Sequence, residues 1–232
     1  MNEFVFNKAF RRELRENAHH YGEVTFLESV LRPGMVVIEG GANRGVTAVA
    51  IAKAVGKTGH VHAFEPVSEY FEVLESNIAR NGIANISTYN LALSDRTGSL
   101  TFYKHGEGSG ITSAQDAEEI RVRAVTIPGF MSTRQIPRVD FINLDCEGSE
   151  LLVLRKTQTL LKRQLPSIFC EVHRGYLEAL NQSVGDIVKF LRFVGYAVKA
   201  LQVEDLRNDS DVDHCSHIYA STRPMEKRIG KK

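Results

Sequence analysis

Short runs of branched apolar residues recur along the chain, each ending at a glycine, a proline or an acid. Between them lie longer stretches with apolar residues at helical spacing. MVVIEG, HVHAFEP, ISTYNLAL, VDFINLD and SIFCEVH read as strands. Gly45 to Val55, SEYFEVLESNIARNG, SELLVLRKTQTLLKRQ and VGDIVKFLRFVG read as helices, with Ser68 as the N-cap of the second and Gly82 as its breaker. YAVKAL and HIYAST close the pattern as strands. Ahead of it, Asn2 to about Leu31 is helical, with Phe4, Phe10 and Leu14 on one apolar side and Phe26, Leu27 and Leu31 on another. The RPG at Arg32 to Gly34 stops that region.

Strands alternating with helices predict an α/β domain with a doubly wound, mostly parallel sheet covered on both faces. Ligands of such sheets bind beyond the carboxyl ends of the strands, at the switch point. GSLTFYKH and EIRVRAVTI interrupt the alternation and predict an extra strand pair, joined by the glycine-rich loop GEGSGITSAQ.

The 232 residues suit one large domain, or one domain with an extension. A net charge of +1 gives no global electrostatic case for nucleic acid or a membrane surface. Cys146, Cys170 and Cys215 match no zinc or redox spacing. No apolar run reaches the roughly 20 residues of a membrane span. The charged, mixed N-terminus is unlike a signal peptide, so a cytoplasmic location is expected.

The candidate chemistry gathers at strand ends. After the first strand come Glu39, Gly41, Asn43 and Gly45. The spacing is neither a dinucleotide G-x-G-x-x-G nor a P-loop. A carboxylate at Glu39 repels phosphate and suits a cationic group, such as the amine or sulfonium of S-adenosylmethionine. Glu65 ends the second strand, 20 residues after Gly45, and is placed to accept from both ribose hydroxyls. It would serve a nicotinamide cofactor equally. NLDCEGSE brings Asp145, Glu147 and Glu150 to the fourth core strand's end, and FCEVHR puts Glu171 and His173 on one side of the fifth. Histidine is the natural general base near neutral pH.

Taken in order, VIEGGANRG, VHAFEP, NLALSD, INLDCEGSE and FCEVH resemble the FkbM-type family of S-adenosylmethionine-dependent methyltransferases. The resemblance spans about Val36 to His173. It departs at Glu39, where the family usually has Asp, and at Gly40, where it usually has a branched apolar residue. It implies a Rossmann-like, seven-stranded sheet with an antiparallel edge strand, which HIYAST would supply. The methyltransferase domain would cover 35–223, with an N-terminal helical extension over 1–34 and a basic tail over 224–232. Glu39, Gly41, Asn43 and Gly45 would surround the methionine part of S-adenosyl-L-methionine, Glu65 the ribose and Ala92 the adenine, while Asp145 would face the reaction centre. The implied reaction is O-methylation of a hydroxyl on a small metabolite or sugar-containing compound. His173, or failing it Glu147 or Asp145, is the expected base. The hairpin and its loop, with Gly106, Gly108 and Gly110, are expected to shape the acceptor pocket. No metal is assigned, although Asp145, Glu147, Glu171 and His173 have ligand chemistry. Expected partners are the small-molecule acceptor and a second copy docked on the N-terminal helices, with neither nucleic acid nor membrane. The alternatives are an NAD(P)-dependent oxidoreductase and a non-catalytic cofactor-binding module.

Overall fold

Asn7 and Asn17 each turn a side-chain oxygen onto free N–H groups of the next turn, starting helices α1 (Lys8–Leu14) and α2 (Ala18–Val30). These and all following elements come from a computed structural model that describes residues 3–113, 116–205, 207–209, 212 and 214–222. The basic tail expected over 224–232 lies outside the described residues.

Beyond the RPG stop the chain alternates through β1 (Val36–Gly40), α3 (Val46–Val55), β2 (His60–Phe64), α4 (Ser68–Arg80) and β3 (Ile86–Tyr89). Ser68 is the first residue of α4, not its cap. Val67 holds the cap position and donates its own N–H to the Glu65 carboxylate at 2.8 Å. ISTYNLAL is two strands, not one. Asn90 donates to the carbonyls of Glu65 and Pro66, the chain turns, and β4 (Ala92–Leu93) joins a second sheet. There β5 (Gly98–Lys104) and β6 (Glu118–Val125) pair antiparallel, as their alternation predicts, in the order β4-β6-β5.

The chain continues through α5 (Ile127–Arg134), β7 (Phe141–Leu144), α6 (Glu150–Lys156), α7 (Gln158–Gln164), β8 (Ser167–Glu171), α8 (Arg174–Ala179), α9 (Val184–Phe193), β9 (Ala197–Gln202), β10 (Arg207–Asp209) and β11 (His217–Ser221). The main sheet has the order β10-β9-β11-β8-β7-β1-β2-β3, so the expected seven strands carry a short eighth. β3, β2, β1, β7 and β8 are parallel. HIYAS, expected at the edge, is instead inserted between β8 and β9, antiparallel to both. All five of its residues are buried, which an interior strand permits and an edge strand does not. The antiparallel edge belongs to β10.

Successive side chains of a strand leave on opposite faces, so a sheet covered twice needs apolar residues at every position. Val37 accordingly packs with Val61, Phe141 and Phe169 under α2 and α3, while Ile38 packs with Phe64, Ile142 and Leu144 under α5, α6 and α9. Each such buried side chain contributes about 1.5–3 kcal/mol. The N-terminal aromatic residues Phe4, Phe6 and Phe10 pack against Val49 and Ala50 of α3. Asn77 of α4 accepts the Phe4 N–H at 2.9 Å. The apolar sides of α1 and α2 are thus spent within the chain.

Candidate active site

The connections from β1 and β7, neighbouring strands, depart to opposite sides, which opens a crevice at their carboxyl ends. After β1 the backbone folds back within five residues. Gly41, Asn43 and Gly45 take φ of 80°, 46° and 91°. Glycine is required at 41, because a Cβ there would lie 1.7 Å from the Asp145 carbonyl oxygen. The N–H groups of Gly41 and Ala42 both donate to the Phe64 carbonyl, and that of Asn43 donates to Glu65 Oε2 at 2.9 Å. The ends of β1 and β2 are therefore one hydrogen-bonded unit. At Gly40 an added Cβ would meet Leu93 at 2.8 Å and the Cys146 sulfur at 2.9 Å. Those two side chains fill the space that a branched residue would take.

Two cavities meet at this unit. One, of about 530 Å³, has Gly41, Asn43 and Glu65 on one side and Ala92, Leu93, Phe102 and Ile111 at an apolar end. The other, of about 860 Å³, runs past Gly45 and Thr47 to His19, Glu23, Glu171 and His173. Gly41, Asn43, Asp145 and Glu147 line both.

Glu65 is 4% exposed, and burial pushes its carboxyl up to about 7 against the backbone N–H groups of Val67 and Asn43. Glu39 lines neither cavity. It is fully buried behind Asn143, which donates to Oε1 at 3.3 Å, and its Oε2 lacks a hydrogen-bond partner. The residue expected around the methionine part thus stands one layer back from both cavities. Burial raises Glu39 to about 7, opposed by hydrogen bonds from Thr47 and Asn143. A folded-state value above the unfolded one means stability present below the ordinary carboxylate range and lost as pH rises toward 7. Glu39→Gln is therefore expected to stabilise the ligand-free protein at pH 8, by on the order of 3 kcal/mol, and hardly at pH 4. Thermal unfolding at the two pH values checks this, and parallel shifts at both would contradict it.

After β7, Glu147 adopts a left-handed φ of 48° and Gly148 one of 95°. Such a conformation costs a non-glycine residue about 1–3 kcal/mol and persists only where its surroundings enforce it. Fully buried Glu150 does so: its Oε1 accepts the N–H groups of Cys146 at 3.0 Å and Gly148 at 3.1 Å. This staple turns Glu147 into the junction of the cavities. The Cys146 thiol is pushed well up by burial and by the nearby Glu150 charge, so it stays protonated.

His173 stands among four carboxylates. Its Nε2 lies 3.2 Å from Glu147, 3.5 Å from Glu171 and 3.7 Å from Asp145, and its Nδ1 lies 3.6 Å from Glu150. Burial alone would lower its pKa, but these acids push it up to about 12. At neutral pH the ring is an imidazolium. Asp145 is held well above the usual carboxylate range by burial and by the Glu171 charge, with His173 opposing.

The glycine-rich loop lies over the first cavity, not the second. Tyr70 and Tyr176 donate their hydroxyls, each at 3.0 Å, to the carbonyls of Gly106 and Gly108. Ser109 and Ile111 line that cavity. The larger pocket is completed from α2 by His19, His20 and Glu23, which no motif announces. Their one signal in the sequence is that His19 and Glu23, four residues apart, share a helix face.

The family described as the methyltransferase FkbM domain matches residues 39–198, well over half of the chain. That span begins at the acid of the β1 turn and takes in Glu65, Asp145 and His173. This chain belongs to the methyltransferase FkbM family. A protein-L-isoaspartate O-methyltransferase of Methanothrix thermoacetophila is 33% identical over 90 residues, which cover 39% of this chain and 40% of that protein. An FkbM methyltransferase structure from Methylobacillus flagellatus aligns with TM-score 0.54 at 14% identity, over 93% of this chain and 56% of the other. A SAM-dependent methyltransferase structure from Aquifex aeolicus aligns with TM-score 0.53 at 18% identity, over 94% of this chain and all of the other. At these identities the structural likeness concerns the fold. The chain spans about half the length of the first two relatives. Membership of the FkbM family sets aside the nicotinamide-dependent alternative. Among the described residues, no helix is long and apolar enough to cross a membrane.

Proposed function

We propose that this FkbM-family enzyme methylates a hydroxyl oxygen of a small metabolite or sugar-containing compound held in the larger cavity. The observation that carries the reading is the shared wall: Asp145 and Glu147 face both cavities, where donor and acceptor have to meet. The larger cavity's lining of acids and imidazoles suits a hydroxylated ligand.

The smaller cavity fits the cofactor's groups. Each Glu65 oxygen takes one backbone N–H and keeps a lone pair for a ribose hydroxyl. Ala92 and its apolar neighbours suit adenine. The turn at Gly41, Asn43 and Gly45 keeps side chains clear of the methionine part, and the unpaired Oε2 of Glu39 supplies negative potential behind it. When bound, S-adenosylmethionine supplies a methyl group already activated by the sulfonium. The chain's own work is to align the acceptor and take its proton. A protonated imidazole has no lone pair to take one. The base is therefore read as the Glu147 carboxylate, 3.2 Å from the His173 ring, ahead of Asp145, which is itself held well above the usual carboxylate range.

The test is transfer of a labelled methyl group to a panel of sugars and hydroxylated metabolites, with an isoaspartyl peptide and RNA alongside. Label in a small hydroxylated acceptor supports the reading; label only in the peptide or the RNA overturns it. Glu147→Gln is expected to lower kcat by about 10²-fold or more, with affinity for S-adenosylhomocysteine little changed. Full turnover in that variant across the pH range would remove Glu147 as the base.

A further inference from the structure

α2, β8 and β11 bring a second cluster together on the far wall of the larger cavity. His19 and Glu23 come from α2, Glu171 from the end of β8 and His217 from the start of β11. One atom from each lies within 4.8 Å of the other three. We propose that these four residues form a site for one divalent first-row transition-metal ion of the zinc, cobalt or manganese kind.

The first argument is spacing. His19 Nε2 lies 3.1 Å from Glu171 and 4.0 Å from Glu23, while His217 Nε2 lies 3.3 Å from Glu23 and 3.9 Å from Glu171. Ligands about 2.1 Å from a tetrahedral ion stand about 3.4 Å apart. These separations bracket that value, each carboxylate turning one oxygen to each imidazole, so that both acids bridge the two rings. The second argument is orientation. Metal-bound imidazoles use one nitrogen for the ion and hold the other with an outer partner. Here both Nε2 atoms point inward. His19 Nδ1 meets Glu204 at 2.8 Å and His217 Nδ1 meets the Ser216 hydroxyl at 3.2 Å. His217 also stacks on Phe169 at 4.6 Å between centroids, which fixes its plane. The third is the backbone that permits the approach. At Gly22, a Cβ would lie 1.8 Å from the Val203 carbonyl oxygen, so only glycine lets α2 come this near to Glu204.

Two imidazoles with two carboxylates select a borderline ion over magnesium or calcium, which prefer all-oxygen shells. The neighbouring trio of Asp145, Glu171 and His173 is a poorer site, since its single imidazole is also engaged by Glu147 and Glu150. Three of the four proposed ligands line the larger cavity, so the ion faces the space assigned to the acceptor. His19, Glu23 and His217 all lie outside the span matched by the FkbM family. The test of this site does not depend on the acceptor being a hydroxyl compound.

The experiment is to strip the full chain with chelator and titrate cobalt(II), reading its visible d–d absorption, with zinc as competitor. Wild type is expected to bind one equivalent with the intense bands of a nitrogen- and oxygen-ligated ion, and zinc to erase them. His19→Ala is expected to weaken cobalt binding more than about 10-fold, and Glu204→Gln to weaken it by about 10-fold. Both positions are partly exposed, so these variants keep the test open should His217→Ala fail to fold. Absence of cobalt bands in wild type overturns the proposal. So does undiminished binding in His19→Ala, or binding lost in Asp145→Asn and kept in His19→Ala, which would move the ion to the neighbouring trio.

Discussion

Glu65→Ala is expected to weaken binding of S-adenosylhomocysteine by at least about 100-fold. The carboxylate is assigned two hydrogen bonds to the ribose, and each bond to a charged group contributes about 1.5–3 kcal/mol. Together they exceed the roughly 2.8 kcal/mol that corresponds to 100-fold. The variant also frees the N–H groups of Asn43 and Val67, which Glu65 now accepts at 2.9 and 2.8 Å. The glycine turn would then lose its tie to the end of β2. Glu65→Gln separates the two effects. It retains the shape and one acceptor oxygen, but turns an amide donor onto a backbone N–H or a ribose hydroxyl. Its affinity is expected to fall between those of wild type and Glu65→Ala. Titration calorimetry on protein shown to be folded by its thermal transition makes the measurement. A change of less than about threefold in Glu65→Ala, against that 100-fold, would remove Glu65 from the cofactor site. Acidification offers a second readout. With its carboxyl raised to about 7 by burial, Glu65 becomes protonated below neutral pH, and affinity for the neutral parts of the cofactor is expected to decline there.

The parts of this molecule that were legible in its sequence are those where local chemistry and long-range structure agree. β1, β2, β7 and β8 are buried on both faces, so they read as mainly apolar runs interrupted by Glu39, His60, His62 and Asn143, and the residues just beyond them are those of the candidate site. Gly41, Glu65 and Asp145 could be found because each ends a strand. Short elements were less visible. α5 and α8, of eight and six residues, are too brief to show a helical period. ISTYNLAL hid its break because the cause is Asn90 reaching back to the chain after β2. SELLVLRKTQTLLKRQ hid one at Thr157, whose hydroxyl bonds the Val153 carbonyl and which ends one helix and begins the next. The position of β11 inside the sheet is a matter of pairing, which a strand's own residues do not encode. The same holds for the α2 wall of the larger cavity. His19 meets Glu204 across 185 positions of sequence, and Glu23 meets His217 across 194. Only the folded chain brings them together. Glu39 illustrates the converse: its place at a strand end was plain, but its depth behind Asn143 was not.

Gly41→Ala is expected to damage folding and catalysis together. The residue's φ of 80° is strained for any side chain, and the new Cβ would overlap the Asp145 carbonyl oxygen at 1.7 Å. Relief requires the end of β7 to move away from β1 by more than an ångström, because both partners are backbone. The strain alone is about 1–3 kcal/mol. With the disturbed β1–β7 contact we expect a loss of roughly 3–5 kcal/mol, near the upper end for single substitutions, and a melting temperature lower by about 6–20 °C. Turnover in the surviving folded protein is expected to fall by about 10²-fold, since an ångström of misplacement at the reacting centre has that effect. Gly82→Ala is the control. Gly82 also has a positive φ, 60°, but an added Cβ there meets nothing within 4 Å. It should lose about 1–2 kcal/mol for its backbone and leave turnover unchanged. The difference between the variants isolates the contact through which the cofactor turn sets the position of Asp145. Equal effects at the two glycines would mean that β7 can shift freely, and that Asp145 is not held in register by the turn after β1.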